Sequence, residues 1–162
     1  MAASVARQTE PWSPKRLAAI LADHAGMEGA LLPILHAVQS AFGFVPQPSV
    51  PLVASHLNLT RAEVHGVVTF YHDFRDKPAG QHVLKICRAE ACQSMGCESL
   101  VERAEQRLGV SCGNTSGDGR MTLEAIYCLG LCATAPSAML DGRVVGRLNA
   151  DKLDKLIAGA GA

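Results

Sequence analysis

The sequence predicts an α/β fold in which a bundle of helices is followed by a second domain of helices and strands. Three observations lead to this prediction. The first half carries only helical periodicity, the segment DKPAG at 76–80 contains Pro and Gly, which break regular structure, and the second half alternates strand and helix patterns. We therefore expect a flexible tail at 1–12, a helical bundle at 13–78 and an α/β domain at 79–162.

Length and composition favour a globular protein. The 162 residues are 48% apolar, which is enough to bury a sizeable core. No apolar run approaches the roughly 20 residues of a membrane span, and residues 1–14 lack the basic start and apolar centre of a secretory signal. A cytoplasmic location is therefore the expectation. The formal net charge of zero gives no support for nucleic acid or a membrane surface as the main partner.

Four helices are predicted before residue 76, each from an apolar stripe at helical spacing and from residues that begin or end helices. Ser13 with Pro14 is a typical start, and Gly43 is a typical residue just past a helix end. Thr60 with Glu63 has the spacing of a capping box. The predicted helices span about 14–25, 29–42, 51–57 and 61–74.

The second half has the patterns of a small sheet covered by helices. Asp141-Gly142 lies between two short apolar runs and predicts a hairpin, because a type I′ turn needs residues that accept a positive φ. Asn149 is a good N-cap for a closing helix. The predicted order is a strand at 82–87, a helix at 94–108, a strand at 121–127, hairpin strands at 138–140 and 143–145, and a helix from 150.

Two pairs of cysteines are the candidate functional residues. Cys87 and Cys92 have C-x4-C spacing, and Cys128 and Cys132 have C-x3-C spacing. Residues five apart on a helix point about 140° from each other, so the first pair needs a loop to face one metal centre. Each pair follows a predicted strand, and the strand ends of one sheet can bring the pairs together. The sequence therefore predicts one metal centre held by both pairs.

Spacing alone leaves the kind of centre open. A [2Fe-2S] cluster is favoured, a structural zinc ion also fits pairs separated by two to four residues, and unligated or disulfide-bonded thiols remain an alternative. Cys97 lies on the inward stripe of its helix and is predicted to be a core thiol. Cys112 lies in a polar loop and is predicted to be a bystander, although either thiol could replace a ligand. Gly130 is expected to let a backbone N–H reach cluster sulfur.

The residues around the second pair resemble the thioredoxin-like [2Fe-2S] subunits of NADH-linked complexes, including the 24 kDa subunit of respiratory complex I. The pattern D-x2-F-[ST]-x5-C-L-G-x-C-x2-[GA]-P of that family is matched from Asp118 to Pro136, with Met121 where Phe is usual. The segment 68–74 (VTFYHDF) is similar to the end of the family's N-terminal helices. The resemblance implies a [2Fe-2S] cluster, with these ligands: Cys87, Cys92, Cys128 and Cys132.

The loops at 87–96 and 128–133 are most similar to those of the gamma subunit of NAD-dependent molybdenum formate dehydrogenases. This resemblance implies an electron-transfer subunit with no catalytic residue and no substrate site of its own. Its direct neighbour is expected to be a diaphorase subunit that binds FMN and NAD, and formate is expected to react on a molybdenum and iron-sulfur subunit. The equivalent subunit of NADH:quinone oxidoreductase or of an NAD-linked hydrogenase is the alternative.

Two other functions are less favoured. The helices at 51–57 and 61–74 have the spacing of a helix-turn-helix, but Arg61 is almost the only cation of the second helix, and DNA binding needs several. Disulfide exchange needs a C-x-x-C motif, which the sequence lacks. The apolar segment 68–74 is more than a four-helix unit can easily bury, so we expect part of it to contact the flavin subunit.

Overall fold

The computed structural model describes residues 9–160, which form two compact units divided between Pro78 and Ala79. The predicted α/β class is confirmed by seven helices and a four-stranded sheet in the described residues. None of these helices has both the length and the apolar surface that crossing a lipid bilayer requires. Most of the predicted tail, residues 1–8, lies outside the described part of the chain.

The first unit is built from four helices around one apolar core. They are α1 (Pro14–Asp23), α2 (Leu31–Phe42), α3 (Ser49–Leu57) and α4 (Arg61–Phe70). The sequence signals hold at their ends: the Ser13 side chain accepts the Arg16 N–H, and Gly43 takes a positive φ of 83°. The capping box is formed in both directions. The fully buried core side chains include Ile34, Leu35, Val38, Phe42, Val53 and Val64.

Several boundaries in the first unit differ from the sequence expectations. Residues 9–12, the end of the segment expected to be a flexible tail, contact the bundle: the Glu10 N–H donates to the Ala41 carbonyl at 2.8 Å and the Trp12 ring lies 5.1 Å from that of Phe42. Helix α3 begins at Ser49, two residues before the predicted start at Pro51, because a proline is tolerated within the first helical turn.

Helix α4 ends at Phe70 and not at Phe74 as predicted. The buried side chain of Gln39 accounts for the difference. Its Nε2 donates to the Asp73 carbonyl at 2.7 Å, and its Oε1 accepts the Arg75 N–H at 2.7 Å. These two bonds satisfy backbone groups of the segment after the helix, so the chain turns toward α2 instead of continuing as a helix.

The second unit contains a mixed four-stranded sheet in the order β2-β1-β3-β4. Its strands are β1 (His82–Cys87), β2 (Met121–Ile126), β3 (Ala138–Leu140) and β4 (Arg143–Val145). Strands β1 and β2 are parallel, while β3 pairs antiparallel with both β1 and β4. The predicted hairpin is confirmed, with positive φ values of 50° at Asp141 and 85° at Gly142. The Asp141 carboxylate also accepts the Val83 N–H at 2.8 Å.

Helices of the second unit cover this sheet and differ from the prediction at one place. They are α5 (Glu90–Ser94), α6 (Cys97–Leu108) and α7 (Ala150–Gly159), the last capped by Asn149. The helix predicted at 94–108 begins three residues later, at Cys97, and a short helix that was not predicted, α5, precedes it. Gly96, with a φ of 79°, separates the two helices. A left-handed residue cannot continue an α-helix, so the chain redirects there. Cys92 consequently lies in a short helix and not in a loop.

Candidate metal centre

The parallel pairing of β1 and β2 brings the two cysteine pairs to one end of the sheet. Cys87, the last residue of β1, lies opposite Ile126, the last residue of β2. Because the strands are parallel, the chain leaves both at the same edge. Cys128 follows Ile126 by two residues, so the first cysteine of each pair starts from neighbouring strand ends.

The first pair is buried. Cys87 and Cys92 are each 2% exposed and form a small buried cluster with Cys97. The Cys87 backbone is fixed by its N–H, which donates to the Ser137 carbonyl at 3.0 Å. Cys92 lies in α5, where its Sγ is 3.6 Å from the Ser137 hydroxyl oxygen. The protein therefore holds this pair in a fixed, water-poor position.

The second pair is exposed and lies on an unusual piece of backbone. The Cys128 and Cys132 sulfurs are 3.8 Å apart, and the Gly130 N–H donates to the Cys128 Sγ at 3.3 Å. Gly130 adopts a φ of 75°, and Cys128 itself adopts a φ of 113°, a region that residues with a side chain rarely occupy. Such backbone strain is found mainly where a functional geometry requires it. Cys132 begins a short 3-10 helix, Cys132–Thr134.

The second cysteine pair lies against the first, because Leu129, the residue after Cys128, packs against the buried cluster of Cys87, Cys92 and Cys97. Burial alone acts to raise the pKa of the Cys87 thiol. Four donors outweigh burial and bring that pKa below its usual value: the N–H of Ala89, the Cys92 thiol, and the N–H groups of Leu129 and Cys128. Two of these N–H groups belong to the loop of the second cysteine pair. The packing of Leu129 and the lowered pKa of Cys87 therefore agree that the loop of the second pair lies beside the Cys87 sulfur.

The charges of the four thiols also interact. A hydrogen bond to Cys128 and its charge raise the pKa of Cys132, with smaller contributions from burial and from Cys92 and Cys87. Thiolates this close repel one another, so holding all four ionised requires positive charge among them. Iron supplies such charge, and the backbone N–H groups aimed at the sulfurs supply further compensation.

The donor set fits a [2Fe-2S] cluster. Four cysteine thiols, in two pairs that meet at one end of the sheet, are the ligands that such clusters use. Within residues 9–160, no three His, Cys, Asp or Glu side chains approach a common point closely enough to hold a single metal ion.

The other two cysteines, Cys97 and Cys112, lie in two different apolar clusters of the second unit. Cys97 is buried, and burial raises the pKa of its thiol. It packs directly against Cys87 and Cys92, a contact that its place on the inward stripe of a helix did not reveal. Cys112 packs against the main apolar core of the second unit, and its N–H donates to the Glu105 carboxylate at 2.8 Å.

Ser137 is a residue near the site that the sequence analysis missed. It contacts both Cys87 and Cys92, and no sequence pattern indicates this contact.

Comparison with known proteins shows the family to which this chain is similar. Residues 17–160 match the family described as thioredoxin-like [2Fe-2S] ferredoxin. The NADP-reducing hydrogenase subunit HndA of Solidesulfovibrio fructosivorans is 34% identical over 131 residues, which are 81% of this chain and 77% of that protein. An NADH-quinone oxidoreductase subunit of Pseudomonas aeruginosa is 35% identical over 128 residues, which are 79% of this chain and 77% of that protein.

A solved structure shares the fold. An NAD+-reducing [NiFe]-hydrogenase in the air-oxidised state superposes with a TM-score of 0.70 and 24% sequence identity. The match covers 81% of this chain and 22% of the hydrogenase chain. This chain thus spans about a fifth of the length of that neighbour.

Proposed function

The chain belongs to the thioredoxin-like [2Fe-2S] ferredoxin family and binds a [2Fe-2S] cluster, and from this premise we propose that it is the electron-transfer subunit of an NAD-linked oxidoreductase complex. The packing of Leu129, from the loop of Cys128 and Cys132, against the buried cluster of Cys87 and Cys92 carries this proposal, because it supports one site for both cysteine pairs. We propose that Cys87, Cys92, Cys128 and Cys132 are the ligands.

The exposure of the four cysteines suggests how the site works. A [2Fe-2S] cluster supplies one-electron transfer when it is bound. The buried residues Cys87 and Cys92 anchor one side of the site away from water, while the exposed residues Cys128 and Cys132 lie at the surface. A redox partner that docks at this surface lies closer to the cluster site than one that docks elsewhere on the chain. No residue of this chain is proposed to touch formate, NAD or another substrate.

We propose that the complex is an NAD-dependent formate dehydrogenase. The loops at 87–96 and 128–133, which resemble its gamma subunit, support this assignment. In that complex a diaphorase subunit with FMN and NAD would be the direct neighbour, and a molybdenum and iron-sulfur subunit would oxidise formate. The names of two relatives, a hydrogenase subunit and an NADH-quinone oxidoreductase subunit, support the alternative complexes. A cytoplasmic location remains part of the proposal.

Anaerobic purification tests this function. The isolated chain is expected to contain roughly two irons and two sulfides, and to give an EPR signal after reduction with dithionite. The complex purified through a tag on this chain is expected to contain molybdenum and FMN, and to give the same EPR signal with formate or with NADH. Activity with hydrogen or quinone in place of formate would assign the chain to an alternative complex. A colourless chain with zinc and no iron would contradict the cluster.

Two aromatic side chains are proposed to contact the flavin subunit. Val68 and Phe74 are buried in the first unit, whereas Phe70 is 72% exposed and Tyr71 is 43% exposed. Their rings are in edge contact, with centroids 5.1 Å apart. An exposed aromatic pair of this kind is typical of a protein interface and unusual on a free surface. The sequence led us to expect that part of the segment 68–74 contacts the flavin subunit, and we propose that Phe70 and Tyr71 are that part.

The double variant Phe70→Ser, Tyr71→Ser tests this contact. We expect it to keep its cluster spectrum and to lose most of its co-purification with the flavin subunit, because the apolar area that the partner covers is removed. Met27→Ser is the matched control, since Met27 is 49% exposed in the same unit. Equal recovery of the flavin subunit with both variants would contradict the proposed contact.

A further inference from the structure

Ser137 lies beside both members of the buried cysteine pair. It is 1% exposed and immediately precedes β3. Its carbonyl accepts the Cys87 N–H at 3.0 Å, and its hydroxyl oxygen lies 3.6 Å from the Cys92 Sγ. The backbone bond fixes the main chain of the serine relative to β1, and burial limits the positions that its hydroxyl can take.

The chemistry of a bound cysteine fixes the direction of the hydroxyl bond. In the free thiol, either sulfur or oxygen can donate. A cysteine that ligates iron is a thiolate, which has no proton and can only accept. The serine hydroxyl must then be the donor to Cys92.

We propose that Ser137 is a positioning residue whose hydroxyl donates a hydrogen bond to the Cys92 sulfur and raises the reduction potential of the cluster. The inference rests on the proposed ligand role of Cys92. A cluster gains one negative charge on reduction, so a donor to its sulfur stabilises the reduced form more than the oxidised form. Burial strengthens the effect, because a hydrogen bond in a medium of low dielectric constant is electrostatically stronger than one in water.

EPR-monitored redox titration of Ser137→Ala tests the proposal. We expect the variant to keep its cluster but to be harder to reduce, with the ratio of reduced to oxidised cluster at a fixed potential falling up to tenfold. Tenfold corresponds to about 59 mV for a one-electron couple. Ser137→Thr retains the hydroxyl and is expected to stay close to the wild-type potential.

Ser49→Ala is the matched control. Ser49 is also fully buried, with its hydroxyl donating to the Pro46 carbonyl at 2.6 Å in the other unit. Its loss is expected to lower stability without changing the potential. This control separates a general effect of losing a buried hydroxyl from an effect on the cluster.

Several results would overturn the inference. One is a Ser137→Ala potential equal to that of the wild type, and another is a higher potential. Loss of the cluster from a folded Ser137→Ala chain also overturns it, because the hydroxyl would then serve assembly. If the alanine variant does not fold, the Ser137→Thr potential decides, and a clear departure from wild type counts against the proposal. Failure of the ligand set itself is recognised separately, by a Cys92→Ser chain that keeps a normal cluster.

Discussion

Serine at any one of the four proposed ligand positions is expected to abolish the visible absorption and the EPR signal of the cluster. A serine hydroxyl ionises far less readily than a thiol and is a harder ligand, so iron loses one of its four protein anchors. The variants are Cys87→Ser, Cys92→Ser, Cys128→Ser and Cys132→Ser. Iron content and EPR of anaerobically prepared chains measure the result.

The same series separates ligands from bystanders. Cys112→Ser is expected to keep the full signal, since its backbone N–H is bonded to Glu105 and its thiol lies in another apolar cluster. Cys97→Ser is also expected to keep the signal, although its burial makes some loss of stability unavoidable. A full signal from any of the four ligand variants, or loss of signal from Cys112→Ser, would contradict the proposed ligand set.

Gly146→Ala is expected to lower both the stability and the cluster content of the chain. A Cβ at residue 146 would overlap the Thr134 side chain, with its Cβ at 2.9 Å and the Thr134 carbonyl oxygen at 3.1 Å. The segments cannot separate easily, because the Arg147 N–H donates to that carbonyl at 2.6 Å. Thr134 ends the 3-10 helix that Cys132 begins, so displacing it moves a proposed ligand.

Overpacking of this kind costs about 1–3 kcal/mol. Urea unfolding of the chain and its iron content measure the two effects. Gly66→Ala is the matched control, because no atom lies within 4 Å of an added Cβ there and Gly66 lies inside α4. That control is expected to gain up to about 1 kcal/mol, since alanine favours a helix interior. Equal stability and iron content in both variants would show that the close approach at Gly146 is unimportant.

Local chemistry explains which parts of the fold were predictable. The Asp141-Gly142 turn and the Thr60 capping box need only residues adjacent in sequence, and both are confirmed. The end of α4 depends on Gln39, whose bonds reach 34 and 36 residues along the chain. Residues 9–12 likewise contact residues that are distant in sequence, Ala41 and Phe42. Single-sequence patterns do not contain such contacts.

The same distinction applies to the candidate site. Cysteine spacing and the strand ends were enough to propose that two pairs meet, because parallel strands place their ends at one edge. The division between a buried and an exposed pair follows from packing, as does the contact of Cys97 with the first pair. Ser137 lies 45 residues from Cys92 and carries no motif, so only the folded chain reveals their contact.

The short separation of the two exposed thiols bears on how the protein is handled. With iron absent, Cys128 and Cys132 face solvent with their sulfurs 3.8 Å apart, within easy reach of joining. Dissolved oxygen can accept two electrons and two protons from the two thiols, and a disulfide then joins Cys128 to Cys132. Both sulfurs are then lost as ligands. Chain that has stood in air should therefore be treated with a thiol reductant before iron and sulfide are supplied.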